Sequence, residues 1–165
     1  MSTDGSVTGD QFRAAWGQFA TGVTVITTVE PDGKVHGMTA NGVASVSLDP
    51  PLALVCVGQS RNTHELIDST GWFGISVLSR DHRAVAEYYT LDAALREHDP
   101  PAEFERRSHG PPVIRGALAA MSCQVISRQH AGDHTIFIGE AREVSTSVGE
   151  PLLYYQGKFG AFQAE

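Results

Sequence analysis

The sequence predicts a mostly-β fold, a closed or partly closed barrel with a few short helices. Seventeen glycines and eight prolines in 165 residues indicate frequent turns, and therefore short strands. Runs rich in β-branched residues, such as VTVITT at residues 23–28, recur between these turns. A chain of this length usually forms one domain, and closing a barrel protects its strand edges. We therefore expect residues 1–165 to form one domain, with residues 1–9 as a flexible tail.

A helix is predicted at the start of the domain, with Asp10 as its N-cap. Phe12, Trp16 and Phe19 recur at helical spacing and form an apolar face, which we expect to pack on the core or on a second subunit. Strands are then predicted at residues 23–28, 34–38, 44–48 and 52–57. Alternation in 44–48 predicts a half-buried strand with serine hydroxyls on its other face, whereas the apolar run in 52–57 predicts a central strand buried on both faces.

The second half of the chain is predicted to contain two short helices and five strands. Asn62 and Glu65 have capping-box spacing, which predicts a helix at residues 62–69. A second helix is predicted at 80–89, and a polar surface loop or lid at 92–112. The strands are predicted at residues 72–78, 117–126, 135–144, 152–155 and 158–162, with a turn at 131–133.

Charge and hydropathy exclude several classes of function. The net charge is −7 and no Lys/Arg-rich run occurs, so we expect no binding to nucleic acid or to an anionic membrane surface. No apolar stretch reaches the ~20 residues of a membrane span, and no signal peptide is present, so we expect a cytoplasmic protein. Cys56 and Cys123 lie in apolar, strand-like segments without CxxC spacing, and we predict buried structural thiols.

Common catalytic motifs are missing from the sequence. It contains no GxGxxG, no phosphate-binding GxxxxGK[ST] loop, no HExxH and no GxSxG. His130 and His134 have a spacing that could hold a metal on a helix, but Gly132 and Asp133 between them favour a turn. We therefore predict no metal site.

Two segments resemble a cradle for an anion and a heterocycle. TANGVASVS at residues 39–47 combines amide, hydroxyl and small side chains, and small residues let a ligand approach the backbone closely. SRNTHEL at residues 60–66 leaves a buried strand and enters a helix N-terminus, where free N–H groups favour a phosphate. The alternative interpretation is a polar strand end followed by an ordinary capped helix.

Five segments, in order along the chain, resemble the flavin reductase family with an FMN-binding split barrel, which includes the small reductase components of two-component aromatic monooxygenases. They are FRAAWGQFATGVTVITT (12–28), HGMTANGVASVSLDPPLALV (36–55), GALAAMSCQV (116–125), AGDHTIFIGE (131–140) and PLLYYQGKFG (151–160). The resemblance implies a split β-barrel fold. It also implies an NAD(P)H:flavin oxidoreductase that uses FMN or FAD with NADH or NADPH and supplies reduced flavin to a partner oxygenase.

The resemblance also implies roles for individual residues. Those expected to line the isoalloxazine ring are Thr39, Ala40, Asn41, Gly42, Val43, Ser45 and Val46. Those expected at the ribityl-phosphate end are Ser60, Arg61, Asn62 and Thr63. Those expected to contact the nicotinamide nucleotide are His134, which would orient the nicotinamide, and Gln156, Gly157, Lys158 and Phe159 as the far wall. The alternative for His134 is a turn histidine that bonds its own backbone.

The family resemblance further implies a homodimer that completes its sites at the subunit interface. Two features depart from the family pattern: Gly42 replaces a residue that often bears a side chain, and residues 93–105 do not follow the usual sequence. Two other functions remain open, namely a reductase of another acceptor, such as a cobalt corrin or ferric chelate, and a flavin-binding protein without reductase activity.

Overall fold

The structure is a computed structural model that describes residues 6–163, and it confirms a mostly-β fold with short helices. The helices are α1 (Gly9–Trp16), α2 (Asn62–Thr70) and α3 (Arg83–Thr90), with single 3₁₀ turns at Arg80–His82 and Ala93–Leu95. The strands are β1 (Thr21–Gly22), β2 (Thr24–Val29), β3 (Val35–Ala40), β4 (Val43–Leu48), β5 (Pro51–Gly58), β6 (Trp72–Val77), β7 (Phe104–Glu105), β8 (Val113–Ile114), β9 (Ala119–Ala131), β10 (His134–Thr146), β11 (Leu152–Tyr155) and β12 (Lys158–Ala161).

The main sheet is rolled into a split barrel. Its seven antiparallel strands follow the order β3-β2-β6-β9-β10-β5-β4, so β3 and β4 form opposite edges. Yet β3 ends at Ala40 and β4 begins at Val43, which leaves two residues to connect the two edges. The three Cα–Cα steps from Ala40 to Val43 span at most about 11 Å, so the two edges must approach each other at Asn41 and Gly42. The barrel is therefore closed by this turn at one end and open along the remainder of the β3–β4 seam.

Two apolar clusters fill the molecule. The first lies inside the main sheet, where Ile26, Phe73 and Phe137 are fully buried together. The second lies between the barrel, α3 and a small sheet of order β1-β11-β12, and includes Val25, Leu78 and Tyr89. The small sheet thus packs against one end of the barrel and brings the C-terminal hairpin close to the β3–β4 turn.

The helix ends differ from the predicted caps. Thr8, not Asp10, caps α1, because its hydroxyl accepts from the Gln11 N–H while the Gln11 side chain accepts from the Thr8 N–H. Arg61 is the N-cap of α2, and Asn62 is already its first helical residue, so the predicted capping box of Asn62 is wrong. Of the predicted flexible tail, residues 1–5 lie outside the described residues.

The burial of two strands also differs from the prediction. On β5, Ala53, Val55 and Val57 are buried while the residues between them are half-exposed, so only one face is fully covered. On β4, the predicted apolar positions Ala44, Val46 and Leu48 are exposed and not half-buried, with Val46 at 44% and Leu48 at 91%. A bulge between Ser45 and Ser47 shifts the β4–β5 register, so that Ser47 lies opposite Leu52 and Leu48 opposite Pro51.

Three further predictions, for residues 80–89, for residues 92–112 and for the cysteines, differ in part from the structure. The 80–89 segment starts with a 3₁₀ turn, and the predicted loop at 92–112 contains β7. Cys123 is buried, but Cys56 is only half-buried. Within residues 6–163, no helix combines the length and apolarity needed to cross a membrane.

Candidate functional site

Two adjoining cavities lie beside the β3–β4 turn. The first, which we call the turn cavity, has a volume of about 550 Å³. Its lining comprises Met38, Thr39, Ala40, Asn41, Gly42, Cys56, Gly58, Gln59, Ser60, Arg61, Asp133 and His134. The second, the helix cavity, has a volume of about 620 Å³ and lies beyond the first turn of α2. It shares Met38, Thr39, Ser60 and Arg61 with the turn cavity, so the two form one continuous cleft.

The β3–β4 turn presents mainly backbone to the turn cavity. The Thr39 hydroxyl donates to the Ala86 carbonyl at 2.7 Å, so this side chain is directed to α3. The Gly42 carbonyl accepts from the Cys56 N–H at 2.8 Å, and a Cβ on Gly42 would lie 3.3 Å from the Cys56 Cβ. Gly42 therefore packs closely against the half-buried Cys56, with little room for a side chain at position 42. The Asn41 amide is exposed and donates to the Thr21 hydroxyl at 3.3 Å.

The first turn of α2 supplies the polar wall between the two cavities. Ser60, Arg61, Asn62 and Thr63 all line the helix cavity, as the sequence predicted that they would lie together. The Arg61 cap residue makes no side-chain hydrogen bond to the helix N-terminus. The first turn therefore keeps N–H groups for an anion. Arg61 also forms an ion pair with Asp92, across the cavity from α2.

A buried histidine supports this turn. His36 is 4% exposed, and its Nε2 lies 3.0 Å from the Thr63 hydroxyl, while its Nδ1 lies 3.2 Å from Glu30 Oε1. A carboxylate only accepts, so a neutral ring donates from Nδ1 to Glu30 and accepts at Nε2 from Thr63. His36 thereby fixes the orientation of Thr63.

A third cavity, the aromatic cavity of about 1050 Å³, opens between α1 and the C-terminal hairpin. Phe12, Trp16 and Phe19 line it and are 61–63% exposed, with Phe12 and Trp16 stacked at 6.1 Å. No residue of α1 is buried, so its apolar face does not pack into the core of the described chain. Asn41 and His134 line both this cavity and the turn cavity.

His134 is held by its neighbour in the β9–β10 turn. Its Nδ1 lies 2.8 Å from Asp133 Oδ1, and this hydrogen bond lowers the pKa of the Asp133 carboxyl. The partner is thus a side chain and not the histidine's own backbone. His134 pairs with Gly58 of β5, and the Gln59 side-chain amide donates to the His134 carbonyl at 3.2 Å, although the two segments are far apart in sequence.

The structure brings together only part of the predicted nicotinamide wall. Gln156 and Gly157 line the aromatic cavity, and both have positive φ, 48° and 79°, as a two-residue hairpin turn requires. Phe159 lies beyond them against Tyr154, beside a small cavity of about 170 Å³. Lys158 is exposed and outside these linings.

Three predicted flavin residues also lie outside the cavity linings. Val43 is half-buried at the start of β4, and Ser45 and Val46 are exposed further along it. His130, considered as a metal ligand, instead lies 3.1 Å from the Thr135 hydroxyl. Among residues 6–163, no group of three His, Cys, Asp or Glu side chains is arranged to hold a metal ion.

Sequence reasoning missed much of the helix cavity. Its far wall is formed by His36, by Tyr89 of α3 and by the segment from Leu91 to Arg96. The Arg96 guanidinium donates to the Gly37 carbonyl at 3.0 Å and lies over the rings of Tyr88 and Tyr89. His36 lies three residues before the cradle segment TANGVASVS, and this closeness in sequence is the one local signal that pointed to it. The other residues join the site through contacts between distant segments.

Comparison with known proteins gives a consistent match over almost the whole chain. Residues 16–163 match the model of the flavin reductase like domain. An NADH-dependent flavin reductase of Rhodococcus sp. is 40% identical, over 97% of this chain and 90% of that protein. The reductase component of a 4-nitrophenol 4-monooxygenase/4-nitrocatechol 2-monooxygenase of Rhodococcus opacus is 36% identical, over 92% of this chain and 80% of that protein.

A solved structure agrees with these relatives. The flavin reductase PheA2 in its native state superposes with a TM-score of 0.87 at 41% identity, covering 96% of this chain and all of that one. The family model, the relatives and the solved structure thus all match this chain over nearly its whole length. The chain therefore belongs to the flavin reductase like family.

Proposed function

We propose that this chain is an NAD(P)H-dependent flavin reductase that uses NADH, or alternatively NADPH, to reduce FMN or FAD. The observation that carries the proposal is that the turn cavity and the aromatic cavity share Asn41, Asp133 and His134. Hydride transfer needs two rings in contact, with reacting atoms about 3–3.5 Å apart. Two adjoining cavities that meet at one wall satisfy that requirement.

The residues of the cleft fit a flavin. The turn cavity is walled by the backbone of β3 and by Gly42 and Gly58, which suits a flat ring that needs hydrogen bonds along one edge. The uncapped first turn of α2, with Arg61 beside it, suits a phosphate. When bound, the nicotinamide supplies a hydride and the flavin accepts it, so the protein provides position and electrostatics.

The roles proposed for this chain's residues follow from their places in the cleft. Thr39, Ala40, Asn41 and Gly42 hold the ring through the backbone and the Asn41 amide. Ser60, Arg61, Asn62 and Thr63 hold the phosphate. His134, oriented by Asp133, positions the nicotinamide, with Gln156 and Gly157 as the opposite wall. The flavin contacts of Val43, Ser45 and Val46, and the nucleotide contacts of Lys158 and Phe159, stay predictions.

We also propose that the protein is a homodimer. An apolar row crosses the outer face of the barrel, from Ala44 on β4 to Leu54 on β5 and Ile138 on β10, which are paired residue to residue. Val46 and Leu48, further along the same edge strand, are also exposed, at 44% and 91%. An exposed apolar surface of this kind is typical of a subunit interface. The exposed aromatic face of α1 is a second surface that a partner subunit can cover.

The proposal extends to a partner and a location. A relative is named as the reductase component of a monooxygenase, which supports a separate flavin-dependent oxygenase as the recipient of the reduced flavin. Both cysteines are free thiols, which suits a reducing compartment, and we propose the cytoplasm. We further propose that the chain functions as a single flavin reductase-like domain.

NADH oxidation by the purified protein, measured with and without added FMN or FAD, tests the function. We expect oxidation that saturates with flavin and produces reduced flavin in the absence of oxygen. Flavin binding without NADH oxidation would instead show a flavin-binding protein. A ferric chelate or cobalt corrin reduced faster than free flavin would show a reductase of another acceptor.

A further inference from the structure

A buried histidine connects the protein surface to the first turn of α2. His36 of β3 and Thr63, the second residue of α2, are both buried, yet both line the helix cavity. The His36 Nε2 atom lies 3.0 Å from the Thr63 hydroxyl, and its Nδ1 atom lies 3.2 Å from Oε1 of Glu30, whose side chain is 39% exposed. Glu30, His36 and Thr63 therefore form a hydrogen-bonded chain that leads from the surface to the proposed phosphate site.

The direction of the hydrogen bond between His36 and Thr63 depends on the charge of the histidine ring. In the neutral ring, Nδ1 carries the hydrogen that Glu30 accepts, so Nε2 accepts the hydroxyl hydrogen of Thr63. In the charged ring both nitrogens donate, so Thr63 Oγ1 becomes the acceptor and its own hydroxyl hydrogen is released from His36. Adding one proton from solvent to His36 therefore converts the Thr63 hydroxyl from an engaged donor into a free one.

A bound phosphate would respond to this change. Phosphate oxygens at neutral pH are acceptors, so they gain a hydrogen bond from Thr63 only when its hydroxyl hydrogen is free. The charged ring of His36 also attracts the phosphate, since opposite charges lie behind and in front of the same hydroxyl. Phosphate binding and protonation of His36 must then favour each other, because such coupling between two sites is reciprocal.

Other titratable or charged groups surround His36. Those that line the same cavity are Arg61 of α2, Tyr89 of α3, and Asp92 and Arg96 of the segment after α3. Those on its own hairpin are Glu30, Asp32 and Lys34. Carboxyl, guanidinium, ammonium and phenol groups ordinarily titrate outside the range of about pH 5–8, and burial raises the pKa of Tyr89 further. Histidine is the side chain whose ordinary charge change lies within that range, and His36 is the histidine of this set.

We propose that His36 is a positioning residue that acts through Thr63: a proton taken up by His36 makes the Thr63 hydroxyl a donor to the flavin phosphate. The inference rests on the proposed flavin reductase function, which places this phosphate at the first turn of α2. Flavins that carry a phosphate then bind more tightly as the pH falls and are released more readily as it rises. Riboflavin, which has no phosphate, lacks this dependence on Thr63.

Flavin titration of the wild-type protein and of Thr63→Val, at about pH 5.5 and about pH 8, tests this. The phosphate of FMN itself titrates near pH 6, so the two proteins are compared at the same pH, with FMN, FAD and riboflavin. We expect wild type to bind FMN or FAD about five- to tenfold more tightly than Thr63→Val at the lower pH, the effect of one hydrogen bond, and less than about twofold more tightly at the higher pH. Riboflavin should bind both proteins equally, and Thr63→Ser, which keeps the hydroxyl, should behave as wild type.

Three further variants locate the proton. His36→Gln should make the effect of Thr63→Val the same at both pH values. Glu30→Gln leaves the buried contact of His36 with Thr63 in place and removes the carboxylate that pairs with the charged ring, so it should reduce the difference at the lower pH. His64→Gln is the matched control, because His64 follows Thr63 in α2 but its Nε2 lies 2.9 Å from the Thr135 hydroxyl of β10. It should leave the pH-dependent difference unchanged.

Two results would overturn the inference. One is a ratio of wild-type to Thr63→Val affinity that is the same at both pH values, which would give Thr63 a role independent of the charge on His36. The other is a pH-dependent ratio that persists in His36→Gln, which would assign the proton to another group. A wild-type protein that binds neither FMN nor FAD would contradict the proposed function itself, so the two failures are distinguishable.

Discussion

At the scale of single residues, His134 has the most informative position. It lies at a wall shared by the turn cavity and the aromatic cavity, with its ring fixed by Asp133 at 2.8 Å. Sequence alone suggested that it would meet the nicotinamide and not the flavin. Its pairing with Gly58 also places it close to the flavin side. A substitution should therefore affect both sites, but unequally.

We predict that His134→Asn raises the KM for NADH by about tenfold, because a lost hydrogen bond to a bound group costs about 1–1.5 kcal/mol. The Kd for flavin should change by less than about threefold. Steady-state kinetics beside flavin titration measure both. His130→Asn is the matched control, since His130 is a strand neighbour outside these cavity linings. Equal losses of NADH and flavin affinity would contradict the assigned role.

Cys56 reports on the occupancy of the turn cavity. Burial raises the pKa of its thiol, and raises that of Cys123 to about 12. The thiolate is the reactive form, so alkylation should be slow at neutral pH and accelerate as the pH rises toward each pKa. Because Cys56 lines the turn cavity whereas Cys123 is buried in the core, only Cys56 should react in the folded protein.

We predict that saturating flavin reduces alkylation of Cys56 severalfold, as measured by mass spectrometry of tryptic peptides. Cys56→Ala should abolish labelling of the native protein and serves as the control. Equal labelling with and without flavin would place the flavin elsewhere.

Individual residues also show the limits of sequence reasoning. Ser60 to Thr63 were recognisable because polar residues at a helix start are close in sequence. Asp92 was not, because a distant segment brings it to α2 through the fold. The only sequence signal for His36 was its closeness to TANGVASVS, and its contact with Thr63 of α2 depends on the fold. The capping box at Asn62 failed because Arg61 takes the extended cap conformation one residue earlier.

At the scale of elements, the contact of β3 with α3 shapes the helix cavity. Gly37 of β3 supports the Tyr89 ring, and an added Cβ would lie 2.5 Å from the Tyr89 Cε1 atom. Tyr89 is 3% exposed, so its ring has little room to move. The glycine is thus needed for close packing in a strand that otherwise tolerates side chains.

We predict that Gly37→Ala lowers the free energy of unfolding by about 1–3 kcal/mol, the usual cost of overpacking. It should also weaken flavin binding, because Tyr89 lines the helix cavity. Denaturant unfolding measures the first effect and flavin titration the second. In Gly22→Ala, the control, the new Cβ has nothing within 4 Å. Equal stability of the two variants would contradict this packing argument.

Most elements could be predicted because their patterns are local. The turns and the alternating strands of the barrel follow from glycine, proline and β-branched residues. The bulge in β4 and the exposure of Leu48 could not be predicted, since a half-buried strand and an exposed strand show the same alternation of residue types at 44–48. Burial depends on which surface covers the strand, and sequence periodicity does not specify that surface.

At the scale of the whole molecule, the described chain leaves a large apolar surface uncovered. Leu48 is 91% exposed at the end of β4, the edge strand from which the apolar row of Ala44, Leu54 and Ile138 crosses to β5 and β10. A second copy of the chain would bury this surface. The turn cavity opens close to the same edge strand, so loss of the dimer should also affect flavin binding.

We predict that Leu48→Asp shifts the protein from dimer to monomer, because a charge buried without a partner is strongly unfavourable. Light scattering at micromolar concentration measures the molar mass. Val148→Asp is the matched control, since Val148 is fully exposed in the loop after β10 and should leave the dimer intact. A wild-type protein that is monomeric under these conditions would contradict the proposed homodimer.

In the proposed function, the wall formed by Asn41 and His134 holds a flavin and a nicotinamide in contact within one protein. Anaerobic rapid mixing of the flavin-loaded protein with NADH, and with NADH deuterated at the transferred position, tests it most directly. We predict that the visible absorbance of the oxidised flavin is lost in a single turnover, more slowly with the deuterated nucleotide and more slowly in His134→Asn. A bound flavin that keeps its oxidised spectrum in the presence of saturating NADH would contradict the proposed flavin reductase function.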